Sequence, residues 1–128
     1  MRRLVRGQAG QAIVETAIVL PVVVLLLFAM LDAGRVFHAW IVVTNGAREG
    51  ARAAAARQDN TVVNSRIDQA MAGVSTYSVS INPAVLPGPS GNPVTVTVST
   101  DVDIITPIIE RFFGGDVTVE GTAVMQTE

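Results

Sequence analysis

"GQAIVETAIVLPVVVLLLFAMLDAGRVFHAWIVVTNGAREGARAAAAR", residues 10–57, decides the fold, because helical spacing runs through a segment suited to lipid and continues into one suited to water. From Ile13 to Leu31 there are 19 residues, interrupted in their apolar character only by Glu15, Thr16 and Pro21. At a rise of ~1.5 Å per residue, a helix of that length nearly matches a hydrocarbon core of ~30 Å. Past Leu31 the pattern persists: Val36, Trp40, Val43, Ala47, Ala51 and Ala54 recur at steps of three or four and define one helix face. The spacing predicts a single helix from about Ala12 to Arg57.

Along that face the residues shrink, from Trp40 and Val43 to Ala47, Gly50, Ala51 and Ala54. Small side chains let another element approach closely, so the rest of the chain is expected to pack there. Gly34, Gly46 and Gly50 each cost about 1 kcal/mol of helix propensity relative to alanine and mark points of local bending. Asp32 with Arg35, and Glu49 with Arg52, are spaced as surface ion pairs contributing a few tenths of a kcal/mol each. His38, the only histidine, reads as a surface residue. The pattern places Trp40 in the core, with an interfacial membrane anchor as the alternative.

Asp59 or Asn60 then offers an N-cap to a second, amphipathic helix with an apolar stripe at Val63, Ile67, Ala70, Met71 and Val74, ending near Gly73. After it the period switches to two. The alternating sets Tyr77, Val79, Ile81; Val94, Val96, Val98, Val102, Ile104; and Val117, Val119, Ala123, Met125 predict three strands with one buried face. Residues 83–93 hold four of the six prolines and read as an exposed loop. "TPIIERFFGGD" joins the second and third strands through a short helical turn, with Thr106 as cap, Pro107 in first position and Gly114 as stop. Three strands alone make a weak domain and need the helix behind them. The expected fold class is α+β: a long N-terminal helix, half in the membrane and half soluble, packed on a small three-stranded antiparallel sheet.

Charge sets the topology. Arg2, Arg3 and Arg6 precede the apolar run, whereas the six remaining arginines share the rest of the chain with all 11 acids. A basic flank before an apolar span places the N-terminus in the cytoplasm and the remainder outside. Three arginines so placed are explained by topology and do not point to nucleic acid. With no cysteine, disulfides, thiolate metal sites and a cysteine nucleophile are excluded. Asp101 and Asp103 share the polar face of the second strand, where two carboxylates are ordinarily solvated. No metal or other cofactor is expected, and without a phosphate loop, zinc spacing or nucleophile motif neither is an enzyme.

Glu15 is the anomaly, because a charge in a membrane segment is costly and commonly functional. A basic segment ending in Gly10, then "QAIVE" with its acid in fifth place, then an apolar helix, resembles the class III signal of type IV pilins and pseudopilins. Across residues 10–55 the match narrows. Gly10, Glu15, Ala17, Pro21, the Gly34-Arg35 pair and the repeat Ala47-Arg48, Ala51-Arg52 resemble the TadE-like pseudopilin family of tight-adherence (Flp) pilus systems. The resemblance implies cleavage between Gly10 and Gln11 by a prepilin peptidase on the cytoplasmic side, with the apolar helix retained. It divides the chain into a leader (1–10), a transmembrane and assembly helix (11–31) and an extracytoplasmic pilin-like domain (32–128). The implied function is that of a minor pilin or pseudopilin in the inner membrane, with the peptidase, the assembly platform and other pilins as partners.

Cleavage creates a positive partner for Glu15, since an α-amino group such as the new one on Gln11 ordinarily titrates at ~7.7–8.0. The carboxylate then pairs either with its own amine, one helical turn away, or with that of a neighbouring subunit. The plainer reading is a snorkelling acid that complements the helix N-terminus. Pro21 removes a helix hydrogen bond, either as a functional kink or as a tolerated membrane proline. A removable secretory signal is disfavoured because Leu31-Asp32-Ala33 lacks the small residue such cleavage needs, and cutting there discards half of a continuous helix. The remaining alternative is a single-pass membrane anchor displaying a binding domain that does not polymerise.

Overall fold

The structure, a computed structural model, describes residues 5–84, 86, 87 and 89–128. Its elements in chain order are α1 (Val5–Ala55), α2 (Asn60–Ala70), β1 (Ser78–Asn82), β2 (Pro93–Asp103), α3 (Pro107–Phe113) and β3 (Asp116–Gln126). The strands form one antiparallel sheet in the order β1-β2-β3, with Val96 opposite both Ile81 and Ala123 in the central register. The fold is therefore α+β, a long N-terminal helix backing a three-stranded antiparallel sheet, as the periodicities indicate.

The 51 residues of α1 form one unbroken helix, about 75 Å long at ~1.5 Å per residue, passing through Pro21, Gly34, Gly46 and Gly50. Only its second half has a core. Val43, Ala47, Ala51 and Ala54 are wholly buried and meet Val94, Val96 and Val98 from the sheet and Val63, Ile67 and Met71 from the α2 segment. Fully burying side chains of valine or isoleucine size contributes ~1.5–3 kcal/mol each, which is what a three-stranded sheet lacks by itself.

Two glycines set how closely the layers approach. A Cβ on Gly50 would lie 2.7 Å from Ile67 Cδ1, and one on Gly121 would lie 2.7 Å from the backbone of Val43 and Thr44. β3 thus crosses α1 with its backbone against the helix backbone, the close approach that glycine in a strand permits.

The caps agree with the sequence. Asp59 Oδ1 accepts the Val62 N–H at 2.9 Å, opening α2, although α2 ends at Ala70 rather than near Gly73. Gly114 and Gly115, at φ +78° and +102°, end α3 in the left-handed region that glycine favours. Tyr77 Oη donates to Asp68 Oδ1, tying the start of β1 to α2.

Four expectations need correction. Trp40 is 48% exposed, because Ala39 and Val43 occupy the core face at that height and Trp40, one position round from Ala39, stacks on Phe37 at 5.8 Å between ring centroids. Val79 and Met125 are exposed, since β1 and β3 are edge strands and α1 does not cover their whole length. The 83–93 loop is not wholly external: Leu86 is buried in the core, while Val85 and Gly88 lie outside the described residues. Asp32 is not a surface acid, as described below.

Candidate functional site

The first half of α1 is bare. From Gly10 to Leu31 nearly every side chain is exposed, including Ile13, Ile18, Leu20, Leu26 and Met30, and the head reaches only the last turn, where Ala29, Met30 and Leu31 border clefts with it. An 18-residue window in this segment has a mean hydropathy of 2.7 and no burial, so the helix is long and apolar enough to cross a membrane. A helix of that composition belonging to a soluble core would be covered by its own protein; this one is not.

Gly10 and Gln11 are adjacent in this bare segment and Glu15 stands one turn on, all exposed, and nothing comes within 4 Å of a Cβ placed on Gly10. Gln11 and Glu15 stand at i and i+4, the spacing that brings side chains together on a helix surface. Thr16 Oγ1 donates to the Ala12 carbonyl at 2.8 Å, and Glu15 beside it is exposed. Pro21 lies mid-segment, where it has no N–H to give to the Ala17 carbonyl. Arg2 and Arg3 of the expected leader lie outside the described residues, as does the side chain of Arg6.

Where the apolar run ends, α1 is clasped to the head. Asp32, 3% exposed, accepts the Ile105 N–H at 3.0 Å, the Thr106 N–H at 2.9 Å and the Thr106 hydroxyl at 2.5 Å. The Thr106 hydroxyl holds its carboxyl below the usual carboxylate range; the backbone donors and the Arg35 guanidinium add to this, against the opposing effect of burial. Arg35 Nη1 lies 3.7 Å from Asp32 and donates to the Asp103 carbonyl at 2.8 Å. The pair that the sequence suggests as a surface salt bridge is therefore a junction: Asp32 holds the amides before α3, and Arg35 holds the end of β2. Thr106, expected as the cap of α3, spends its hydroxyl on Asp32.

The other motif positions divide by direction. In the Ala-Arg repeat, Ala47 and Ala51 are buried against the sheet, while Arg48 and Arg52 point outward. Arg52 pairs with Glu49 at 3.6 Å on an exposed surface. Arg48 and Arg52 line a cleft with Thr122, Ala123, Val124 and Met125 of β3. Gly34 has nothing within 4 Å of where a Cβ would stand, and it borders a mixed cleft with His38, Val74, Ser75 and Asp101. His38 is exposed, as expected. Asp101 accepts the Thr118 hydroxyl at 2.6 Å. Among the described residues, no three histidine or acidic side chains converge as metal ligands would.

At the far end of the head, Thr127 is 4% exposed and is a second closure that the sequence did not signal. Its hydroxyl donates to the Pro89 carbonyl at 2.6 Å and accepts the Asn92 N–H at 3.2 Å, fixing the proline-rich loop. The Glu128 N–H meets the Ala55 carbonyl at 3.1 Å, satisfying the last turn of α1.

No curated protein and no solved structure matches the chain. Residues 10–52 match the family model described as TadE-like protein, so α1, from the bare segment through the Ala-Arg repeat, carries the TadE-like signature expected from its sequence.

Proposed function

We propose that the chain is a minor pilin or pseudopilin that takes part in assembling a tight-adherence type IV pilus. The observation that carries this is the division of α1 within its TadE-like segment. One half is bare and apolar, and the other is sealed under a head by Asp32, Gly50 and Gly121. Such a subunit is anchored by the bare half in the inner membrane, N-terminus in the cytoplasm and residues 32–128 outside. The same half becomes the surface by which subunits bundle. Residues 1–10 are the leader, removed by a prepilin peptidase between Gly10 and Gln11. The further partners are the assembly platform and other pilins.

Glu15 supplies the register. Its exposure leaves the carboxylate open to the Gln11 amine of its own chain or of a neighbour, and a charge in lipid that must find a partner fixes axial position better than apolar contact does. Pro21 supplies a weak point in the helix, easing extraction from the bilayer.

The test is the mature N-terminus, determined with and without the peptidase in membrane and sheared-pilus fractions. A start at Gln11 that depends on the peptidase, in a pilus-assembling cell, supports the proposal. An uncut chain that stays in the membrane overturns it in favour of an anchored binding protein that does not polymerise. A Glu15→Ala chain that is cleaved and stable yet assembles at the wild-type level overturns the register role alone.

A further inference from the structure

The Asp32 clasp fixes the depth of the head as well as its orientation. Asp32 follows directly on Leu31, the end of the apolar run, and it holds the amides of Ile105 and Thr106 at 3.0 and 2.9 Å. The turn into α3 is therefore level with the end of the membrane-spanning segment. Ile109 of α3 and Ile104 line one cleft with Ala29, Asp32 and Ala33, so α3 stays beside the end of the run. On this side of the head Ile105 is 55% exposed and Ile108 52% exposed. An isoleucine pair with its apolar surface open, at the depth where α1 is itself apolar, meets lipid there rather than water.

We propose that the Ile105–Ile108 edge of the head is embedded in the outer boundary between headgroups and acyl chains of the bilayer that α1 spans. α3 thus lies as an interfacial foot beside the span. The proposal rests on the membrane-spanning part of the proposed function. The contact is apolar and requires no anionic lipid. It buries side chains that the head leaves open and limits tilting of the head about its single helix. On the opposite side of the base Met30 and Leu31 border a mixed cleft, where Val74 and Val102 stand beside Ser75, Thr76, Asp101 and Asp103.

Depth falls off quickly upward. Phe37 and Trp40 stand roughly 9 and 13 Å above Leu31 along the helix axis at ~1.5 Å per residue. An interfacial layer some 5–8 Å thick per leaflet leaves Trp40 above the acyl boundary.

Trp40 is the only tryptophan, so the chain carries its own reference probe. The full chain is reconstituted in phosphatidylcholine vesicles containing acyl-brominated phosphatidylcholine, and tryptophan quenching is compared for wild type and for Ile108→Trp and Val22→Trp, each in a Trp40→Phe background. For a side chain buried some 5–10 Å into the boundary, Ile108→Trp is quenched at least about twofold more than native Trp40, most strongly by bromines near the headgroup. Val22→Trp is quenched most strongly by deep bromines. Quenching of Val22→Trp with Ile108→Trp no more quenched than Trp40 overturns the interfacial foot alone, leaving the edge for a protein partner. No quenching at either position overturns the spanning helix, and the foot with it.

Discussion

Asp32 and Thr106, 74 residues apart in the chain, share a 2.5 Å hydrogen bond between a buried carboxylate and a buried hydroxyl. This one contact joins three levels of the structure. The Asp32 carboxylate ends the bare half of α1, satisfies the amides that precede α3, and with Arg35 it sets how β2 leaves the sheet. A head attached to its helix only through apolar packing could slide or rotate along a stripe of alanines. A carboxylate that must meet three donors fixes both height and rotation.

Removing the clasp should loosen the head without unfolding the bare helix. Thr106→Val deletes one donor and leaves the two amide bonds to Asp32, at a cost of about 1 kcal/mol. Asp32→Ala leaves the amides of Ile105 and Thr106 and the Thr106 hydroxyl without their acceptor, and should cost more than Thr106→Val. Thermal unfolding of the full chain in detergent, followed by the sheet signal in circular dichroism, should show the order wild type, Thr106→Val, Asp32→Ala. The helical signal should fall least.

The same carboxylate makes the head acid-labile. Its folded pKa lies below its unfolded value, which is ~3.9 for an ordinary aspartate. Its contribution is therefore complete above the unfolded pKa and is lost as the pH falls through the folded one. The gap in melting temperature between wild type and Asp32→Asn should stay constant from pH 7 to about pH 5. It should begin to narrow below about pH 4, where the carboxyl of the unfolded chain takes up its proton, and should close only once the folded carboxyl, which titrates lower, is protonated too. A gap that widens on acidification would contradict the assignment.

Two glycines should respond in opposite directions. On Gly121 a Cβ meets helix backbone at 2.7 Å, an obstacle that cannot rotate away, so Gly121→Ala should destabilise the head by about 1–3 kcal/mol, towards the upper end. Gly34 has open space around it inside a helix, so Gly34→Ala should stabilise by up to about 1 kcal/mol. Denaturant titration of both variants alongside wild type measures the pair. If Gly34→Ala raises stability yet abolishes pilus assembly, that glycine is kept for a contact made outside this chain.

Most of the fold was legible because it rests on periodicity. The step of three or four along α1, the switch to a period of two after α2, and the Thr106-Pro107 and Gly114 punctuation place every element, while the strand order β1-β2-β3 comes from the structure. Trp40 was misplaced because Val36, Trp40, Val43 and Val36, Ala39, Val43 both run at steps of three and four, and it is Ala39 that takes the core position. The clasp was partly legible: Asp32, Val36, Ala39, Val43, Ala47, Gly50 and Ala54 follow each other at steps of four and three, so an acid continues the buried face one turn towards the membrane. Read only against Arg35, its neighbour in sequence, Asp32 looks like a surface ion pair. Its real partners come from a turn far along the chain, which no local pattern announces. Thr127 is the same case, a lone hydroxyl whose value comes from the loop folded over it. Gly10, Gln11 and Glu15 were singled out by resemblance and spacing; they lie exposed on the bare half of α1, more than four turns before the clasp at Asp32.

The Ala-Arg repeat offers a way to separate folding from assembly. Ala47 is wholly buried beneath the sheet, so Ala47→Leu forces extra methylenes into a filled layer and should cost about 1–3 kcal/mol. Arg48 and Arg52 point outward; an exposed pair such as Arg52 with Glu49 contributes at most a few tenths of a kcal/mol. Arg48→Ala and Arg52→Ala should therefore leave the melting temperature within about 2 °C of wild type, since surface changes of this kind stay within about 0.5 kcal/mol. If these outward arginines meet other subunits, the double variant should still accumulate in the membrane, keep its mature N-terminus, and yet fail to support pilus formation. Melting curves, N-terminal analysis and recovery of sheared pili from the same cells make the comparison. Normal piliation in the double variant would mean that the outward half of the repeat serves solubility alone.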